Sequence, residues 1–261
     1  MDMLAPGLAA ALATMRTVHM VATLSLAGAL SFRLLVAPYS LARVVRPSLV
    51  VALLGGLAWL VLQAAALAGA DTVPDTLAAI VPVVQDTRFG HVLLLRLALL
   101  LAAGALAWRG EGRARLIPAA LIAAIAVVLQ AALGHAAASD DPVLEASLAV
   151  HLLAAAAWLG GLVPLWFVLR ASGGEVAARR FSLLGVVAVG AIAATAFEHP
   201  QHIARLRSFP AIKRIKLRKH SFRSSFFRRW RGRSFYRFGL AVAAITFAEA
   251  GIFGRIAAIV V

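Results

Sequence analysis

Cysteine is absent from the 261 residues of this chain, which excludes disulfides, thiolate metal sites and thiol redox chemistry. Any bound metal must rely on imidazole, thioether, carboxylate or backbone oxygen. Lysine is nearly absent: three occur, at Lys213, Lys216 and Lys219, and none before them. Asp and Glu number 11 against 26 Lys and Arg. The one adjacent acidic pair of note, Asp140 and Asp141, turns its side chains apart, which suits general acid–base work poorly. A Ser/His/Asp arrangement, an HExxH motif, a P-loop and a dinucleotide fingerprint are all missing. No enzymatic activity is expected. The stretch before Met15 also lacks a basic n-region followed by a small-residue cleavage site. It reads as part of the first helix, with no cleaved leader.

What the chain has in abundance is apolar sequence: 62% of its residues are hydrophobic and its mean hydropathy is +0.90. Several runs approach the roughly 20 residues that cross a bilayer. The expected fold is all-α, a polytopic transmembrane helix bundle. Its spans fall near 8–32, 48–69, 91–108, 116–134, 143–169 and 181–197, with a further hydrophobic helix at 239–261. The sixth run would measure only about 26 Å against a core of about 30 Å, so it is the least secure span. Residues 70–90 carry too many prolines for a span, yet 77–84 is apolar, and the stretch reads as a partly interfacial cap. Three parts are expected: a bundle over 1–197, a basic aromatic-rich segment over 198–238, and the helix over 239–261.

Charge orients the bundle. Arg33, Arg43 and Arg46 follow the first span, Arg109, Arg113 and Arg115 the third, and Arg170, Arg179 and Arg180 the fifth. The alternate loops hold Asp71, Asp75, Asp86, Asp140, Asp141 and Glu145 against Arg88 alone. Arginine-rich loops stay in the cytoplasm, so the N-terminus is expected outside. On that orientation His91, His135 and His151 lie at or in the outer half of the membrane. His19 is about 17 Å down the first helix, near the midplane.

An imidazole in hydrocarbon needs a reason to be there. Met15 and His19 are four residues apart and share a helical face with Thr23, so a thioether and an imidazole stand together. That pair suits copper, particularly Cu(I), better than magnesium or calcium. The bland alternative is that Met15 fills a packing gap and each histidine bonds a neighbouring helix. Arg16 and Arg96 cost about 2.5–3.5 kcal/mol each on insertion scales. They are expected either to serve an anionic ligand or, the favoured reading, to bond carbonyls or Asp86. Trp158 shares a face with His151, Gly160 and Gly161 point to close helix packing, and Trp59 and Trp108 read as interfacial anchors.

Several stretches together resemble the copper resistance protein D (CopD) family of bacterial inner-membrane proteins. They are Asp86-Thr-Arg-Phe-Gly-His-Val-Leu-Leu-Leu-Arg96, Gly134-His-Ala136, His151-Leu-Leu-Ala-Ala-Ala-Ala-Trp-Leu-Gly-Gly161 and Arg179-Arg-Phe-Ser182. The resemblance covers about residues 8–196. It implies copper transport across the inner membrane, in a family described for both uptake and export, often beside a periplasmic copper-binding protein of the CopC type. Carried over by position, His19, His135 and His151 are the implied copper ligands, and Arg96 marks the family's third helix. With Met15 and His91 they complete the expected metal set. Two alternatives are a membrane b-type haem cytochrome, with paired helix histidines such as His135 and His151 as axial ligands, and a non-catalytic assembly or lipid-binding protein.

Beyond Glu198 the resemblance stops. Half of the 26 Lys and Arg lie between Arg205 and Arg237, on the periplasmic side if the sixth helix spans, against the positive-inside rule. The favoured reading is an aberrant stretch of different coding origin. Contact with anionic membrane lipids, or with nucleic acid through Phe222, Phe226, Phe227 and Trp230, is less favoured. His199, His202 and His220 are not expected to bind metal.

Overall fold

Apolar runs become helices here because lipid offers the backbone no hydrogen bonds, and a helix satisfies its own. The computed structural model describes residues 6–110, 112–133, 142–170 and 174–196. His135, the basic segment and the C-terminal hydrophobic run lie outside the described residues. The helices are α1 (Pro6–Leu35), α2 (Val45–Ala68), α3 (Val73–Asp86), α4 (Arg88–Trp108), α5 (Arg113–Val128), α6 (Pro142–Arg170) and α7 (Glu175–Ala196). No strand occurs among the described residues. Six stretches are long and apolar enough to cross a membrane: Gly7–Leu35, Val45–Ala68, Arg88–Trp108, Arg113–Leu133, Pro142–Arg170 and Glu175–Thr195. The all-α, multi-pass expectation holds.

Helix starts differ from the expected ones where a polar residue opens the helix. α7 begins at Glu175, whose carboxylate sits in the first turn against the positive end of the helix dipole. Its 22 residues reach about 33 Å, so the sixth span is not short. α4 begins at Arg88 because Thr87 caps it, Oγ1 accepting from the Gly90 N–H at 3.0 Å.

The expected cap at 70–90 contains α3, a helix of 14 residues, too short to cross. Thr72 caps it, and proline in its first turn gives up an N–H that would be unbonded anyway. It packs against α2 and α4, and Val83 is its fully buried residue. Gly90 closes the corner between α3 and α4: a Cβ there would lie 2.3 Å from the Val83 carbonyl oxygen.

α1 is the central helix, packed on α2, α6 and α5, with Leu26, Leu30 and Phe32 fully buried. Its crossing with α6 is glycine on glycine. A Cβ on Gly28 would sit 2.2 Å from the Ala156 carbonyl oxygen, and one on Gly160 would sit 2.2 Å from that of Leu24. Gly161 makes room for the Phe181 ring of α7. Close helix packing is therefore what Gly160 and Gly161 do.

Arginines knit one end of the bundle. Arg180 Nη1 donates to the Val36 carbonyl at 3.1 Å, joining the start of α7 to the end of α1. Arg46 stacks over the exposed Trp108 ring at 4.4 Å, Arg43 lies 5.8 Å from the Phe167 ring, and Arg170 lies 3.9 Å from that of Trp166. Trp59 corrects its expectation. It lies mid-helix on α2 and is buried between the rings of His19 and Phe89 instead of anchoring at an interface.

Candidate functional site

His19 is fully buried on α1, facing α2. Its Nδ1 lies 2.7 Å from the Ala52 carbonyl oxygen. A carbonyl only accepts, so Nδ1 carries the proton and the lone pair sits on Nε2. Nε2 has no hydrogen-bond partner. Leaving such an acceptor buried costs about 1–3 kcal/mol, a cost a bound group would remove.

Two adjacent glycines make the approach possible. A Cβ on Gly55 would lie 3.3 Å from the His19 backbone nitrogen, and one on Gly56 would lie 2.9 Å from Nδ1 and 2.6 Å from Leu97 Cδ2. The Trp59 ring walls the imidazole at 5.9 Å. Met15, one turn earlier, packs on the cluster of Trp59, Leu60, Leu93 and Leu97. Arg16 reaches over the same indole at 5.9 Å. Thr23 donates to the His19 carbonyl at 2.8 Å, within its own helix. Met15 thus packs on the cluster that contains Trp59, and His19 and Arg16 each approach that indole.

Arg96 is also fully buried. Its Nε donates to the Ala126 carbonyl of α5 at 2.9 Å. That carbonyl is open because α5 tightens at its end: Gln130 N–H bonds Val127 O at 3.1 Å instead of continuing the i→i−4 ladder to residue 126. The carbonyl option for Arg96 is the one realised. Arg96 Nη1 and Gln130 Oε1 are both buried without partners. They line one narrow gap with Met20, Thr23, Leu24, Val127 and Leu152. Gln130 is the polar residue that sequence reasoning missed. An amide inside an otherwise apolar run was the signal for it.

His151, part-buried on α6, faces α7, its Nδ1 lying 3.2 Å from Thr195 Oγ1. The Thr195 hydroxyl hydrogen points to the carbonyls of Ala191 and Ile192, at 2.9 and 3.0 Å. Its oxygen therefore accepts from His151 Nδ1–H. Ser147 Oγ donates to the Thr195 carbonyl at 3.3 Å, and Trp158 on the same face meets Gly185. Replacing Thr195 with valine should cost about 0.6 kcal/mol, the average for such bonds between membrane helices. Reversible unfolding in mixed detergent measures it.

His19 faces α2, and the other described histidines, His91 and His151, have different surroundings. His91 is exposed in the first turn of α4, and His151 belongs to the α6–α7 contact. Among the described residues, no group of three or more His, Asp or Glu is placed to hold a metal ion. Of the haem pair His135 and His151, His135 lies outside the described residues and His151 is turned to α7.

With this geometry in hand, comparison with known proteins adds one finding. The sequence model described as Copper resistance protein D-like, N-terminal domain, matches residues 3–146. Met15, His19, His91, Arg96 and His135 fall within the match, and His151 lies beyond it. No curated protein and no solved structure matches the chain.

Proposed function

The chain belongs to the copper resistance protein D-like family, whose members are copper resistance and transport membrane proteins; from that premise we propose that it takes copper from the periplasmic side and holds it at His19. Its arginine-rich end would face the cytoplasm, placing the N-terminus in the periplasm and the chain in the bacterial inner membrane. His135, His151 and His91 would receive the ion at the outer side, from solution or from a CopC-type donor. Met15 and His19 would take it deeper, copper being cargo here and not a resident cofactor.

The observation carrying this reading is the buried, partnerless Nε2 of His19. Its bond to Ala52 fixes the tautomer, so the lone pair is presented where a metal would use it. A bond from the other ring nitrogen to a carbonyl orients a histidine ligand and raises its basicity. The thioether of Met15, on the same face, favours the softer Cu(I).

Titrating metal-free, full-length protein with Cu(I) against a chromogenic chelator tests the proposal. His19→Ala should weaken binding by at least about tenfold, the lower end of what even outer-shell changes cost a metal site. The exposed His91 should matter less. Unchanged affinity in His19→Ala would falsify the His19 site.

A further inference from the structure

Arg96 is a full positive charge in the middle third of a spanning helix, and what compensates it is incomplete. The C-terminal end of α5, reached through Ala126, offers the equivalent of roughly half a negative charge. Among the described residues the buried polar side chains besides Arg96 are His19, Thr23, Gln130 and Ser147, none of them a carboxylate. Arg16 adds a second positive charge that acts on Arg96. A buried cation left in this state is costly, and such residues are normally paired.

Two further observations locate what is missing. Arg96 Nη1, a donor aimed at no partner, lines the same gap as Gln130, whose Oε1 is also unpartnered. Rotating the Gln130 amide exchanges its oxygen for an NH2, a change that leaves its shape almost unaltered. The gap then presents a donor from Arg96 on α4 and one from Gln130 just past the end of α5, with the Met20 thioether and the Leu24 and Leu152 side chains as walls. A bridging water could satisfy Nη1 and Oε1 together, but it would leave the charge unbalanced. As the side chains stand, the gap is too narrow for a water-sized sphere. Met20 is unbranched and part-buried, so it is the wall best able to withdraw.

We propose that Arg96 and Gln130 form a binding site for a small monatomic anion of the halide class, lodged between α1, α4, α5 and α6. Chloride there would be held by Arg96 Nη1–H and the Gln130 amide. It would balance the core charge and make it less repulsive to a cation at His19. This site does not depend on copper chemistry, because its motive is the uncompensated guanidinium.

The test uses metal-free, full-length protein in detergent and chloride itself as the probe. In 35Cl NMR, wild-type protein should broaden the chloride line, and bromide should reverse the broadening competitively. Thermal unfolding should shift upward in chloride relative to gluconate at equal ionic strength. Both effects should be lost in Arg96→Gln and reduced in Gln130→Leu, which keeps the guanidinium and its bond to Ala126. Should Arg96→Gln not fold, the Gln130→Leu arm still decides. Equal unfolding in chloride and gluconate for the wild type, or broadening unaltered in Gln130→Leu, overturns the site in favour of water alone. Because copper is absent throughout, failure here leaves the His19 reading standing, and the converse holds.

Discussion

Gly160→Val should leave no stably folded protein to assay, while Gly190→Ala should be recovered at wild-type yield or better. A Cβ at position 160 would sit 2.2 Å from the Leu24 carbonyl oxygen and 3.0 Å from the Gly28 Cα. Both obstacles are backbone, so no rotamer change relieves them and α1 must separate from α6. Overpacking a good interface typically costs about 1–3 kcal/mol, and more when helices are forced apart. Here the loss spreads, because α1 also packs on α2 and α5. Close approach is, moreover, what replaces the hydrophobic effect as the force between helices in lipid. Gly190 has nothing within 4 Å of its would-be Cβ, and alanine suits a helix interior better by about 1 kcal/mol. Detergent-resistant yield and size-exclusion profiles of the two variants check both outcomes. A Gly160→Val protein eluting like the wild type would mean that α1 and α6 do not cross at glycine.

Much of this architecture is legible from residues alone because lipid imposes a simple rule: a long apolar run is a helix. All six bundle helices were found that way, and Gly160-Gly161 announced a close crossing. The expected starts at 181, 116 and 91 fall later than Glu175, Arg113 and Arg88, since a search for apolar residues discards a polar first turn; the dipole favours that turn at Glu175, and the Thr87 cap fixes the one at Arg88. Trp59 is misplaced for a different reason: it lies mid-run in the expected 48–69 as well as in α2, so its aromatic identity and not its position suggested an anchor. At the site, Met15 and His19 were readable from their four-residue spacing. Their surroundings were not. The partner of His19 is the Ala52 carbonyl and that of Arg96 is the Ala126 carbonyl, and a backbone oxygen leaves no mark in sequence. Gly55-Gly56 carried the same close-approach signal as Gly160-Gly161. Only tertiary structure says that an imidazole, and not another backbone, fills the space.

That distinction yields a variant that separates the imidazole from its placement. Gly56→Ala keeps His19, Met15 and every titratable group, yet is expected to weaken Cu(I) binding by about 10–100-fold, the range typical when the groups that orient a metal ligand are disturbed. The added methyl would meet Leu97 Cδ2 at 2.6 Å, His19 Nδ1 at 2.9 Å and Cε1 at 3.1 Å. Leu97 can yield, being the end of a flexible side chain. The His19 ring cannot move without stretching the 2.7 Å bond from Nδ1 to Ala52. Once that bond weakens, the proton is no longer confined to Nδ1, and a population with protonated Nε2 has no lone pair to offer the metal. Stability should fall more modestly, by about 1–3 kcal/mol, as for other small overpacking changes. Gly69→Ala probes a contrasting case: its left-handed φ of 61° strains any side chain, yet nothing lies within 4 Å, so it should lower stability without touching Cu(I) affinity. If Gly56→Ala and Gly69→Ala lower affinity equally, the loss follows general destabilisation, and His19 is not positioned by α2 for metal. If only Gly56→Ala does so, the orientation of the imidazole is what binding requires.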